Sequence, residues 1–106
     1  MSDYVPDEGD IVWIELSPTV GREQAGYRPA VVLTKADYNH RSGLLFCVPM
    51  TSRVKNYPFE VAVGSGVALV DHSRSVDWES RGISRKGNAT TKELEAIRSK
   101  LRKLIG

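Results

Sequence analysis

Cysteine occurs once in the 106 residues, at Cys47, so no disulfide can form within the chain, as expected in a reducing compartment. Histidine occurs twice, at His40 and His72, with no HxxxH or CxxC spacing anywhere, which argues against a dedicated zinc site. The carboxylates are scattered rather than clustered, which argues against a two-metal nuclease. No apolar run approaches the roughly 18 residues that would span a bilayer. The opening MSDYVPDEGD is acidic and has no apolar centre, so no secretory signal is expected. Glycine-rich phosphate loops, the nucleophile-elbow motif and internal repeats are missing too. What remains is a single domain, 1–106, of ordinary globular composition.

Charge is present in both signs but unevenly placed. Residues 1–20 contain Asp3, Asp7, Glu8, Asp10 and Glu15 and no Lys or Arg. Residues 81–106 contain Arg81, Arg85, Lys86, Lys92, Arg98, Lys100, Arg102 and Lys103 against only Glu93 and Glu95. A basic segment of this kind attracts polyanions or an acidic partner chain, and it is equally what a solvated helix face looks like.

The apolar patterning is mostly that of strands. DIVWIEL (10–16), PAVVLT (29–34), LLFCVPM (44–50), YPFEVAV (57–63), VALV (67–70) and RSVDW (74–78) are short and rich in β-branched and aromatic residues. PAVVLT reads as buried on both faces. Pro49 should fray or bulge the pairing near it. Gly64 and Gly66 bracket a tight turn at Ser65. KADYNHRSG (35–43) reads as a turn or irregular piece, and SRGISRKGN (80–88) as loop. The last segment reads as a helix, with Thr90 and Glu93 forming a capping box and Leu94, Ile97, Leu101, Leu104 and Ile105 on one face. Five to six strands and one C-terminal helix predict a mainly β (α+β) fold, a small barrel closed by that helix.

Two stretches at strand edges carry the available chemistry. In REQAGYRPAVVLT (22–34), Pro29 restricts Arg28 to extended backbone, which fixes how its side chain leaves the chain. A guanidinium so oriented suits phosphate oxygens, or an ordinary acidic partner. In VPMTSRVKNYPFE (48–60), the Thr51 hydroxyl both donates and accepts, or simply caps a turn. Arg53, Lys55 and Tyr57 follow it, a basic and aromatic mixture suited to single-stranded nucleic acid.

In order and spacing, GDIVWIELSPTVGREQAGYRPAVVL, CVPMTSRVKNYPFEV and GVALVDHSRSVDW, with the closing KLRKLIG, resemble the MazF/PemK family of toxin–antitoxin endoribonucleases, closest to its MazF branch of mRNA interferases. The resemblance implies an SH3-like barrel with a helix, a homodimer, and a toxin of a type II toxin–antitoxin system. It implies sequence-specific, metal-independent cleavage of single-stranded RNA, with no cofactor. The ribose 2′-hydroxyl attacks the neighbouring phosphate, leaving a 2′,3′-cyclic phosphate and a 5′-hydroxyl. The family's essential arginine falls on Arg28, its threonine on Thr51 and its loop acid on Glu23. Gln24, Tyr27, Arg53, Lys55 and Tyr57 are the expected RNA-binding residues. A cognate MazE-like antitoxin is expected to cover the site, competing with RNA near the 17–27 loop, and a cytoplasmic location is expected. Surplus apolar surface on PAVVL and LLFCVPM would be buried by pairing of two copies.

Two other readings stay open at this stage. One is a non-catalytic toxin of the same fold that binds a protein, as gyrase inhibitors do. The other is a passive single-strand RNA binder that uses Lys55 and Tyr57.

Overall fold

The computed structural model describes residues 4–17 and 26–106. Strand β1 (Asp10–Glu15) alternates strictly, with Val12 and Ile14 buried on one side and Ile11, Trp13 and Glu15 half-buried on the other. It pairs antiparallel with β2 (Tyr27–Val32), which pairs with β3 (Leu44–Thr51). The chain continues through β4 (Glu60–Val63), β5 (Gly66–Leu69), β6 (Arg74–Asp77) and β7 (Ile83–Asn88). Among the described residues the strand order is β4-β5-β3-β2-β1-β7, with β6 also on β3. The mainly β architecture with a C-terminal helix is as expected, but the strand path is not closed, so it is a barrel only loosely.

The seventh strand corrects the reading of 80–88 as loop. β7 lies at the end of the strand path, pairs with β1 and leaves mostly exposed residues, so it shows no apolar alternation. Residues 36–42 are likewise a helix, α1 (Ala36–Ser42), rather than an irregular turn. Its anchor is polar, which hides it from hydrophobic periodicity. Asn39 is fully buried; its amide donates to the carbonyls of Pro6 (2.8 Å) and Thr34 (2.9 Å) and its oxygen accepts from the Thr34 hydroxyl (2.6 Å). A one-turn helix, α2 (Trp78–Arg81), follows β6, capped by Asp77. The Ser80 backbone N–H holds the Asp77 carboxyl below its ordinary range.

β3 changes partner midway. Leu44–Cys47 pair with β6, Met50 and Thr51 pair with β5, and a 3₁₀ turn (Val70–His72) offsets the two. Between these sets, Val48 and Pro49 pair with Val31 and Ala30 of β2. The ladder with β2 runs as far as the Pro49–Ala30 pair and ends there, in keeping with the expected fraying at the proline. The interruption falls where a missing N–H is tolerated, between two partner strands.

β2 and β3 feed two hydrophobic clusters on opposite sides. One contains Val31, Leu33, Val48 and Met50 beneath α3 (Thr91–Ile105), which adds Ile97, Leu94 and Leu101. The other contains Val12, Ile14, Ala30, Val32, Leu45 and Cys47. Burial of this kind stabilises by about 25 cal/mol per Å² of apolar surface. The apolar face of the helix is buried only in part: Leu104 and Ile105 are exposed. Burial pushes the Cys47 thiol up to about 12, so it carries no nucleophile at neutral pH.

The charged termini are partly spent on the fold. Glu8 pairs with Arg98 at 2.8 Å, and Arg98 also donates to the Leu33 carbonyl. Asp10 accepts from the Tyr4 hydroxyl, the Asp7 backbone N–H and the Asn88 amide. Burial, then that hydrogen bond to Asp10, raises the Tyr4 phenol well above its ordinary value. Arg81 donates to the Glu15 and Ser17 carbonyls. These ties use part of the charge asymmetry within one molecule. No helix among the described residues is long and apolar enough to cross a membrane.

The capping box of α3 is present, with Thr90 Oγ1 accepting from the Glu93 N–H and Glu93 accepting from Thr90 N. The second Glu93 oxygen accepts from Gly64 N at 2.9 Å, tying the helix to the β4–β5 turn. The Thr90 and then the Gly64 N–H hold the Glu93 carboxyl below its ordinary value. A depressed folded value means that the stabilisation is complete above the unfolded pKa, about 4.3, and is lost as pH falls through the folded value. The melting-temperature gap between wild type and Glu93→Gln should be full at neutral pH and close below about pH 4. A gap independent of pH would show that the carboxylate charge contributes nothing.

Candidate functional site

Two concavities adjoin at the end of β3, and Arg28 and Thr51 are the residues common to both walls. The first, about 510 Å³, is also lined by Trp13, Tyr27, Ser52, Lys86 and the β4–β5 turn. The second, about 470 Å³, is also lined by Arg53, Lys55, Tyr57, Glu60, Leu69, Asp71 and His72. Six of the eight expected site residues are thus brought to one region, namely Arg28, Thr51, Tyr27, Arg53, Lys55 and Tyr57. Glu23 and Gln24 lie outside the described residues, as does most of the 17–27 loop.

Each position has a local cause. Arg28 is half-buried in β2 opposite Ile14, and Pro29 opposite Trp13 keeps the strand extended at its entry. Thr51 ends β3, and its hydroxyl accepts the Arg53 N–H at 3.2 Å. It does cap a turn, but with an oxygen lone pair. The hydroxyl proton is the part that such a cap does not use. Turn capping and a role toward a ligand are therefore compatible in one side chain.

The 52–58 loop is folded by a carboxylate. Glu60 accepts the backbone N–H of Asn56 at 2.9 Å and of Lys55 at 3.2 Å. Asn56 has φ 59° and is the single non-glycine residue with positive φ among those described, a conformation asparagine tolerates better than most residues. This arrangement leaves Lys55 Nζ 5.7 Å from the Tyr57 ring centroid, with both residues exposed. His72 is half-buried in the same wall, its Nε2 4.0 Å from Asp71 Oδ1. In the sequence, His72 carries no role beyond arguing against a zinc site, so its place in the wall with Arg28 and Thr51 was missed.

Trp13 and Lys86 were missed as well. For Trp13 a signal existed: in β1 it occupies the parity opposite Val12 and Ile14, a large aromatic turned away from that cluster. For Lys86 none existed, because it sits in an irregularity of β7. Electrostatically the site combines Arg28, Arg53, Lys55 and Lys86 with Glu60, Asp71 and His72, two of whose acids face their own neighbours. Among the described residues no three His, Cys, Asp or Glu side chains gather as a metal would require. The arrangement suits an extended anion with flat rings, passing from one cavity to the other over Arg28 and Thr51.

Residues 7–105 match the family described as PemK-like, MazF-like toxin of type II toxin–antitoxin system. The chain belongs to that family. Over its full length it is 47% identical to the endoribonuclease toxin MazF of Escherichia coli strain K12, covering 99% of that protein. The crystal structure of MazF (Form-I) from Deinococcus radiodurans superposes with a TM-score of 0.95 at 48% identity, covering 98% of this chain and 99% of that one. A MazE-MazF crystal structure (Form-III) from the same organism gives 0.87 at 45% identity, covering 97% and 98%.

Gly66 holds one wall of the site close. A Cβ there would stand 2.8 Å from the Thr51 carbonyl oxygen, a backbone atom that cannot swing aside. Gly66→Ala should therefore displace the end of β3, moving the amide resonances of Thr51 to Arg53 and lowering stability by roughly 1–3 kcal/mol. Changes confined to residues 65–67 would refute this coupling.

Proposed function

We propose that this chain is the toxin of a type II toxin–antitoxin pair, an endoribonuclease that cuts single-stranded RNA by attack of a ribose 2′-hydroxyl on its own phosphate. The observation that carries the reading is the meeting of Arg28 and Thr51 at the junction of two cavities lined by cations and aromatic rings. Full-length identity to a protein named an endoribonuclease supports it. The non-catalytic, gyrase-inhibitor reading is not favoured for the same reason.

The chemistry follows from charge. In-line attack forms a bond from O2′ to phosphorus, breaks the bond to O5′, which takes a proton from water to become the 5′-hydroxyl, and concentrates negative charge on the nonbridging oxygens. Arg28, already fixed by its strand, steadies that charge with little reorganisation. The Thr51 hydroxyl, its oxygen accepting from Arg53 N, orients the 2′-hydroxyl or donates a hydrogen bond to a nonbridging oxygen. Glu23 is proposed to accept the 2′-hydroxyl proton, which requires a pKa above the usual carboxylate range. Arg53, Lys55 and Tyr57, with Gln24 and Tyr27, hold the flanking nucleotides. DNA is spared because it lacks the attacking oxygen.

The partners follow from the same reading. A MazE-like antitoxin is proposed to fold an acidic segment over this cationic surface and exclude RNA; in Deinococcus radiodurans MazE and MazF crystallise together. A homodimer and a cytoplasmic location are proposed on the family resemblance.

Purified protein should cleave RNA in excess EDTA and leave 5′-hydroxyl ends. Arg28→Ala should be slower by roughly 10²–10³ or more, about 2.7–4 kcal/mol of lost charge stabilisation. Undiminished cleavage by Arg28→Ala would defeat the assignment, and inability of the wild type to cut any RNA would defeat the function.

A further inference from the structure

The first cavity contains a device that the bond-breaking step does not require. Val12 of β1 pairs with Arg85 of β7, but Ile11 pairs with Gly87, so Lys86 is an extra residue without a counterpart. This is a β-bulge, which breaks the ladder locally and re-aims a side chain. The re-aimed side chain puts Lys86 Nζ 5.7 Å from the Trp13 ring centroid. Trp13 is in turn stacked on Tyr27, with centroids 5.5 Å apart and planes within 8°. Tyr27 is 58% exposed and lines the cavity, so the stacked pair is reachable from solvent. A strand built only for the core would need neither the bulge nor the paired rings.

We propose that this cavity is a nucleotide subsite on the opposite side of the reacting phosphate from the Arg53–Tyr57 loop. A base stacks on the Trp13–Tyr27 pair, and Lys86 neutralises the adjoining backbone phosphate. The proposal rests on the RNA-cutting function above and specifies how the strand is held. Because Arg28 and Thr51 line both cavities, a strand occupying both carries one phosphate across them. The second cavity repeats the same chemistry, a lysine 5.7 Å over a tyrosine, so the strand meets a cation and a ring on each side of the junction. Stacking on an aromatic face is tolerant of base identity, so this subsite supplies affinity and placement more than sequence choice. An acidic polypeptide would also be drawn to Lys86, but the parallel ring pair favours a planar base.

Direct binding separates this idea from catalysis. The probe is a short mixed-sequence single-stranded oligodeoxynucleotide, which offers bases and phosphates without the attacking hydroxyl. Trp13 and Trp78 are the two tryptophans, and the Trp78 indole donates to the Asn39 carbonyl at 2.9 Å, so it serves as an internal reference. Wild-type emission should be quenched on titration, and Trp13→Phe should abolish most of that change. Trp13→Ala should weaken binding roughly 5- to 100-fold, as loss of one stacked base does. Lys86→Ala and the longer-stemmed Lys86→Gln should each lower the slope of log affinity against log salt by about 0.7, the loss of one phosphate contact on a single strand. With RNA as substrate, the Lys86 defect should fall on KM. Unchanged quenching in Trp13→Phe, an unchanged salt slope in both folded Lys86 variants, or quenching by an Asp/Glu-rich peptide but not by the oligonucleotide would each overturn the subsite. A wild type that binds the oligonucleotide with this signature but cuts no RNA would retain the subsite and remove the enzymatic reading.

Discussion

The site depends on β3 changing partner at Pro49. Up to Cys47 the strand pairs with β6, and from Met50 it pairs with β5. Proline cannot donate a ladder hydrogen bond, so the break between two partners is where it fits. The consequence is that Thr51 ends the strand at a seam rather than within a continuous sheet. One cavity forms toward the β4–β5 turn and the Trp13 face, the other toward the 52–58 loop and the 3₁₀ turn. Arg28, entering from β2, borders both.

The surrounding contacts hold that seam in place. Gly66 lets the β5 backbone approach the Thr51 carbonyl, and Glu93 fastens the adjoining turn to the start of α3. Glu60 folds the basic loop by gathering two of its N–H groups. Among the described residues these acids act on backbone donors, while several cations line the cavities. Preorganised charge of this kind is what in-line phosphoryl chemistry uses, since little is left to rearrange as the transition state forms.

Much of this was legible in the sequence, for identifiable reasons. The strands at 10–16, 29–34 and 44–50 declare themselves because their residues are buried and β-branched, and Thr90 with Glu93 declares the helix start. β7 and α1 do not, because one is a polar strand at the end of the sheet and the other is anchored by Asn39 instead of an apolar stripe. Arg28 and Thr51 stand at strand ends beside polar loops, where motif and chemistry coincide. Lys86 could not be found, since a one-residue bulge leaves no periodic trace. His72 and Asp71 could not be placed because the 3₁₀ offset that brings them to the wall depends on the tertiary pairing of β5 and β6 with one strand.

The proposed chemistry rests on a fixed guanidinium and a hydroxyl meeting a phosphate whose own sugar supplies the nucleophile. The direct measurement is cleavage of an RNA in which the nucleotide on the 5′ side of the mapped cut carries hydrogen in place of its 2′-hydroxyl. The account predicts that this strand binds as the unmodified one does and stays intact at that position, with the unmodified control ending in a cyclic phosphate. Scission of the modified bond at a comparable rate would mean that another nucleophile attacks, and would contradict it.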